Sequence, residues 1–185
     1  MPTETGIYTP EDAAHGHDFS YRLAQWIGQF LPKKNNVIDL GCGPGTYLRY
    51  LHDIGFENLL GIEGTPLNFE YEHIWTGDLT DTTTSYTAGH VISLEVGEHI
   101  PEHLLPNYLN LIMETTKTGH FAIISWAIPG QDGIGHISCR SNIWVINELQ
   151  KRKFRLLAED TLAARSVIEE RQSYFRNTLM IFQKQ

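Results

Sequence analysis

The run Val37-Ile38-Asp39-Leu40-Gly41-Cys42-Gly43-Pro44-Gly45-Thr46 constrains this chain more than any other stretch. A short apolar run with one acid reads as a buried strand. A glycine-rich turn follows, and Tyr47-Leu48-Arg49-Tyr50-Leu51 after it has helical character. Strand, tight turn and helix in that order bring bare backbone toward a ligand, because glycine has no Cβ in the way. Such a unit opens a sheet whose strands alternate with helices.

The remaining pattern fits that beginning. A helix is expected over Glu11–Leu31, where Phe19, Leu23, Trp26, Ile27, Phe30 and Leu31 recur at spacings of three and four, and Pro32 ends it. After strand one (Val37–Leu40) come a helix over Gly45–Ile54, strand two over Leu59–Glu63, strand three over Ile74–Asp78 and strand four over His90–Val96. A helix over Pro101–Thr116 has Pro101 in its first turn, where the missing N–H costs nothing. Strand five lies within Gly119–Ile128 and a helix spans Ser141–Lys153. Strand six covers Phe154–Glu159, a short helix about Thr161–Ile168, and a last strand Tyr174–Gln183. The expectation is an α/β, Rossmann-like fold: a seven-stranded, mostly parallel sheet with helices on both faces and an antiparallel last strand. All of 1–185 is read as a single domain, with 1–36 as an N-terminal helical lid or cap and 37–185 as the core; residues 1–10 are read as a loose leader.

Composition narrows the function. A net charge of −8 opposes binding to a phosphate backbone, so no nucleic-acid partner is expected. No apolar run approaches the roughly 20 residues that cross a bilayer, and Met1 to Phe19 lacks a signal peptide's basic and apolar regions. Cys42 and Cys139 are far apart and read as reduced thiols, so the expected compartment is the cytoplasm. No metal is expected: neither cysteine has a second one at ligand spacing, and the spacing of His15, His17 and His136 predicts nothing.

The acids around the glycine turn bear on the ligand. A carboxylate at Asp39, two residues before Gly41, is a poor neighbour for a pyrophosphate and a good one for the ammonium of a methionine moiety. Glu63 ends strand two about 20 residues past the first glycine, where doubly wound folds bind ribose hydroxyls. Asp78, after Gly77, ends strand three and can accept from an adenine amino group, with Leu79 beside the ring. The run Ser93-Leu94-Glu95-Val96-Gly97-Glu98-His99-Ile100-Pro101 closes strand four. All four features lie at the carboxyl ends of strands, where open sheets bind ligands.

This set resembles the class I S-adenosylmethionine-dependent methyltransferases. Asp39-Leu40-Gly41-Cys42-Gly43-Pro44-Gly45 is similar to the family's first motif, Gly61-Ile62-Glu63-Gly64 to its second, Gly77-Asp78-Leu79 to its third and Ser93 to Pro101 to its fourth, in the form of the small-molecule branches. The resemblance implies S-adenosylmethionine as cofactor. Its methionine end would lie on Asp39, Gly41 and Gly43, with Cys42 and Gly45 completing the turn. Its ribose would lie on Glu63 beside Gly64, its adenine on Asp78 and Leu79, and its amine near Glu95. It also implies methyl transfer to an oxygen, nitrogen or carbon of a small-molecule acceptor. His136, in the glycine-rich loop Pro129–Arg140, and His99 are the candidate bases. The bland alternatives are an exposed loop histidine and a helix-capping one. Tyr21, His136 and Trp126, the last at the end of strand five, are the candidate acceptor contacts. Two rivals stay open: a non-catalytic cofactor-binding module acting through a partner, and an NAD-dependent oxidoreductase.

Overall fold

The computed structural model describes residues 3–9, 18–86 and 89–185. Seven strands form one sheet in the order β3-β2-β1-β4-β5-β7-β6. They are β1 Val37–Leu40, β2 Leu59–Glu63, β3 Ile74–Thr76, β4 His90–Leu94, β5 Phe121–Ser125, β6 Phe154–Leu156 and β7 Met180–Lys184. The β1–β2, β2–β3, β1–β4 and β4–β5 pairs are parallel. β7 runs antiparallel to both β5 and β6, as the pattern predicted for the last strand. The chain turns back on itself between β1 and β4, and the carboxyl ends of those two strands open a crevice there.

The helices are α1 Tyr21–Phe30, α2 Thr46–Asp53, α3 Leu105–Thr115, α4 Asn142–Lys151, α5 Ala158–Ser166 and α6 Ser173–Thr178. They cover both faces because successive strand residues point to opposite sides. Val37, Ile92, Ile123 and Ile181 pack with Leu23 and Ile27 of α1, Leu48 of α2 and Phe175 of α6. Their neighbours Ile38, Val91, Ile124 and Phe182 pack with Leu109 and Ile112 of α3 and Leu149 of α4. No helix among the described residues is long and apolar enough to cross a membrane.

Several expected boundaries change. The N-terminal helix starts at Tyr21, because Ser20 is extended (φ −100°, ψ 110°) and its Oγ caps the Leu23 N–H at 3.2 Å. The rest of the span expected from Glu11 falls partly on residues 10–17, including His15 and His17, which lie outside the described residues. Pro101 precedes a 3-10 turn (Glu102–Leu104), and Pro106 is the proline in the first turn of α3. The helix expected from Thr161 already begins at Ala158. The last strand is shorter than its apolar content suggests. Phe175 and Thr178 are buried at a spacing of three, and that face makes Ser173–Thr178 a helix before β7 begins.

Candidate active site

A cavity of about 460 Å³ opens at the carboxyl ends of β1, β2 and β4. That size falls within the roughly 300–1,000 Å³ of small-molecule sites. The glycine turn forms its floor. Gly41, Gly43 and Gly45 all have positive φ (77°, 55° and 87°), and the Gly41 N–H donates to the Ile62 carbonyl at 2.8 Å. A Cβ on Gly41 would sit 2.6 Å from Val96 Cγ2, so both conformation and space demand glycine there. Gly41→Ala should cost about 1–2 kcal/mol from backbone conformation alone, readable as a lower denaturation midpoint.

Acids surround that turn. Asp39 is only 3% exposed and lines the cavity. Burial first, and then the Glu63 charge, push its carboxyl up to about 8. Glu63 accepts the backbone N–H groups of Gly43 and Thr65, each at 2.9 Å. These two bonds fix its position and use half of a carboxylate's roughly four acceptor sites. Asp78 takes the Thr80 N–H and hydroxyl on Oδ1, both at 2.7 Å. Its Oδ2 has no hydrogen-bond donor among the described residues. Glu95 sits at φ 54°, in the left-handed region, and accepts from Gln131 Nε2 (2.5 Å) and Thr178 Oγ1 (3.2 Å).

The other wall comes from the turn after β4 and the loop after β5. The carbonyl of Glu98 accepts the N–H groups of Ile137 (2.9 Å) and Ser138 (2.8 Å), which ties the two segments together. That tie brings His99 and His136 to a ring separation of 5.0 Å. Both imidazoles line the cavity. Glu98 is fully buried beside them, its Oε1 lying 4.0 Å from His136 Nε2. Burial, and then the Glu95 charge, push its carboxyl well above the usual range. The backbone N–H groups of Glu98 and Ala127 oppose that shift, but neither closes a hydrogen bond of normal geometry.

The structure brings Asp39, Gly41, Cys42, Glu63, Gly64, Asp78, Leu79, Glu95, His99 and His136 around one cavity. Gly43 and Gly45 shape the turn without being part of the cavity's lining. Two expected acceptor contacts are elsewhere. Tyr21 is 57% exposed and packs edge-on against Tyr50, because the first turn of α1 directs it outward. Trp126 is fully buried, since β5 turns it toward the core between Tyr108 and Trp144. Cys42 is buried under the turn, and burial pushes its thiol far up, so it offers no nucleophile.

The segment Thr5–Tyr8, expected from the sequence to be part of a loose leader, also lines the cavity. Thr65 Oγ1 donates to the Tyr8 carbonyl at 2.8 Å. The Tyr8 hydroxyl donates to the Ile134 carbonyl and meets His99 Nδ1 at 2.6 Å. The Gly6-Ile7-Tyr8 run, with its apolar side chains, was the available signal in a stretch read as a leader. Gln131 was also missed; as an uncharged loop residue it carries no signal of chemistry.

A family model of the methyltransferase domain matches residues 15–161. No curated protein sequence is significantly similar to the chain. The fold is similar to that of the sugar N-methyltransferase KedS8 from Streptoalloteichus, at 14% identity over 93% of this chain and 90% of that one (TM-score 0.69). It is also similar to a TehB-like S-adenosylmethionine-dependent methyltransferase from Corynebacterium glutamicum, at 19% identity over 95% and 93% (TM-score 0.63). The third is a Burkholderia thailandensis 1,6-didemethyltoxoflavin-N1-methyltransferase with bound 1,6-didemethyltoxoflavin and S-adenosylhomocysteine. It shares 12% identity over 89% and 77% (TM-score 0.62).

Proposed function

The chain belongs to the methyltransferase domain family, and from that premise we propose that it moves a methyl group from S-adenosylmethionine to an oxygen, nitrogen or carbon of a small acceptor. The single observation that carries this reading is the ring of carboxylates at the ends of β1, β2 and β4 around one glycine-floored cavity. The donor set fits the cofactor. Asp39 and Glu95 suit an ammonium, the remaining acceptor sites of Glu63 suit a ribose diol, and Asp78 Oδ2 suits an adenine amino group. A pyrophosphate would meet Asp39 and Glu63 at the turn itself, which disfavours a nicotinamide dinucleotide. The chain acts as one domain in this reading, with 1–36 as a cap over the 37–185 core.

When bound, the cofactor supplies a methyl group already activated on a sulfonium. The protein's work is then to position the partners and to exclude water. Glu63, held by two backbone N–H groups, fixes the ribose. Ile7 and Tyr8 close the cavity from above. His99 and His136 face the acceptor, orient it and take its proton where it has one to lose. A small-molecule acceptor is supported by the negative charge of the chain and by a fold shared with enzymes named for a sugar and for 1,6-didemethyltoxoflavin.

Calorimetry with S-adenosylhomocysteine tests the reading, and a folded sample that takes up none sinks it. Glu63→Ala is expected to weaken that binding by about 1.5–3 kcal/mol, the range for a lost hydrogen bond to a charged group.

A further inference from the structure

One loop residue joins the two halves of the cavity. Ile128-Pro129-Gly130-Gln131 makes a tight turn after β5, closed by the Gln131 N–H donating to the Ile128 carbonyl at 3.0 Å. Pro129 suits the first corner of such a turn, and Gly130, at φ 89°, supplies the left-handed second one. Gln131 leaves the turn on the cavity lining, between Glu95 and His136. Its side-chain amide donates to Glu95 Oε2 at 2.5 Å, and its backbone carbonyl lies 3.0 Å from His136 Nδ1.

Both partners are held in place. Glu95 has φ 54°, a left-handed backbone that a residue other than glycine keeps only where its surroundings fix it. Its N–H donates to Ser125 Oγ at 2.8 Å, and Thr178 Oγ1 stands 3.2 Å from its Oε1. The carboxylate is thus a fixed anchor at the end of β4. On the other side of Gln131, a carbonyl can only accept, so His136 carries a proton on Nδ1 whether its ring is neutral or charged. In the neutral ring the lone pair is then on Nε2. That atom lies 4.0 Å from Glu98 Oε1, and the Glu95 side chain and the His99 ring face the same buried carboxyl. A Cβ on Gly133 would come within 2.2 Å of His136 Nε2, so glycine at that position leaves the ring its place.

We propose that Gln131 is the positioning residue of His136: clamped to Glu95, it keeps the proton on Nδ1 and links the cofactor end of the cavity to the acceptor end. The link rests on the methyl-transfer reading, in which Glu95 meets the ammonium of the cofactor. That ammonium draws on the carboxylate that holds the Gln131 amide, and the change reaches His136 along one side chain. His136 Nε2 then takes the proton of an acceptor N–H or O–H. The electron pair left on the acceptor atom bonds the methyl carbon, and the carbon–sulfur pair departs with sulfur. Gln131 touches none of the reacting atoms; it sets which nitrogen of the base is free.

The test reads the ring nitrogens directly, by long-range ¹H–¹⁵N spectra of the full chain at about pH 8, above the ordinary imidazole titration at ~6.5. The His136 signals are those lost in His136→Gln. Without cofactor, the wild type should show His136 protonated on Nδ1. Gln131→Met keeps the length of the side chain and removes the donor, and its His136 should move toward the Nε2-protonated form that an unheld ring prefers. Asp132→Asn, the next residue in the loop, should keep the wild-type pattern. A thermal melt of each variant checks that it is folded. S-adenosylhomocysteine should then shift the His136 signals of the wild type and leave those of the methionine variant where they were. A wild-type ring protonated on Nε2, or a methionine variant that keeps the wild-type pattern, overturns the positioning role. Wild type that binds S-adenosylhomocysteine with no movement of His136 overturns the link between the two ends. Wild type that takes up no S-adenosylhomocysteine removes the methyl-transfer reading, and the cofactor-free spectra still decide whether Gln131 holds the ring.

Discussion

Asp39→Asn is expected to make the cofactor-free protein more stable and the cofactor site worse. In the fold the Asp39 carboxyl is pushed up to about 8, first by burial and then by Glu63. In the unfolded chain it titrates near ~3.9. Below about pH 4 both states carry the proton and the residue contributes no slope. As pH rises from there to about 8, the unfolded state releases a proton that the folded state keeps, so stability falls by about 1.4 kcal/mol per pH unit. Asparagine has no proton to lose and removes that slope. At pH 7 the gain is as much as about 4 kcal/mol, and each kcal/mol raises the midpoint of a chain this size by about 2–4 °C. Binding moves the opposite way. The ionised carboxylate is the form that holds an ammonium, so wild-type affinity for S-adenosylhomocysteine should climb by up to about tenfold per unit between pH 6 and 8. The variant's affinity should stay flat and low. Thermal scans and calorimetry across that range decide it. An asparagine variant less stable than wild type at pH 7, or one that binds as tightly at pH 8, sinks the role given to Asp39.

That trade between stability and function also explains which parts of the molecule the sequence could reveal. The sheet was legible because its strands are short apolar runs between turn signals, a pattern set locally. The cofactor side was legible because each of its acids ends a strand. A doubly wound sheet brings strand ends together whatever the side chains are. The rest depends on long-range packing. Glu98 looks like one more polar residue in Glu95-Val96-Gly97-Glu98-His99, and only the fold shows that it is the one turned fully inward. Thr5–Tyr8 has no period to mark it, and its place over the cavity comes from long-range contacts, among them those to Thr65, His99 and Ile134. In the helix that replaces the start of the last strand, Phe175 and Thr178 could be read at either period until burial fixed one.

Trp126 was expected on the cavity wall, and its observed place gives it a larger part. It is fully buried behind the wall, and its Nε1 donates to the Ser138 carbonyl at 2.8 Å. Ser138 in turn donates its N–H to the Glu98 carbonyl. The indole therefore braces the two segments that carry His99 and His136. Gly97 lies against its face so closely that a Cβ there would come within 2.4 Å of the ring. Trp126→Ala is expected to cost about 3–5 kcal/mol, the range for emptying a large aromatic from a core. Gly97→Ala forces the same contact from the other side and should cost about 1–3 kcal/mol by overpacking. Trp126→Phe separates the brace from the core. It keeps most of the apolar volume but leaves the Ser138 carbonyl without its donor, a loss of about 1–3 kcal/mol. Because Asp39 and Glu63 stand on other strands, the phenylalanine variant should hold S-adenosylhomocysteine nearly as well as wild type. The pair of histidines, no longer clamped, should turn over acceptor more slowly. Denaturant melts, calorimetry and a turnover assay read these effects separately. A phenylalanine variant that loses cofactor affinity and keeps its turnover at saturating cofactor would place the brace on the wrong half of the site.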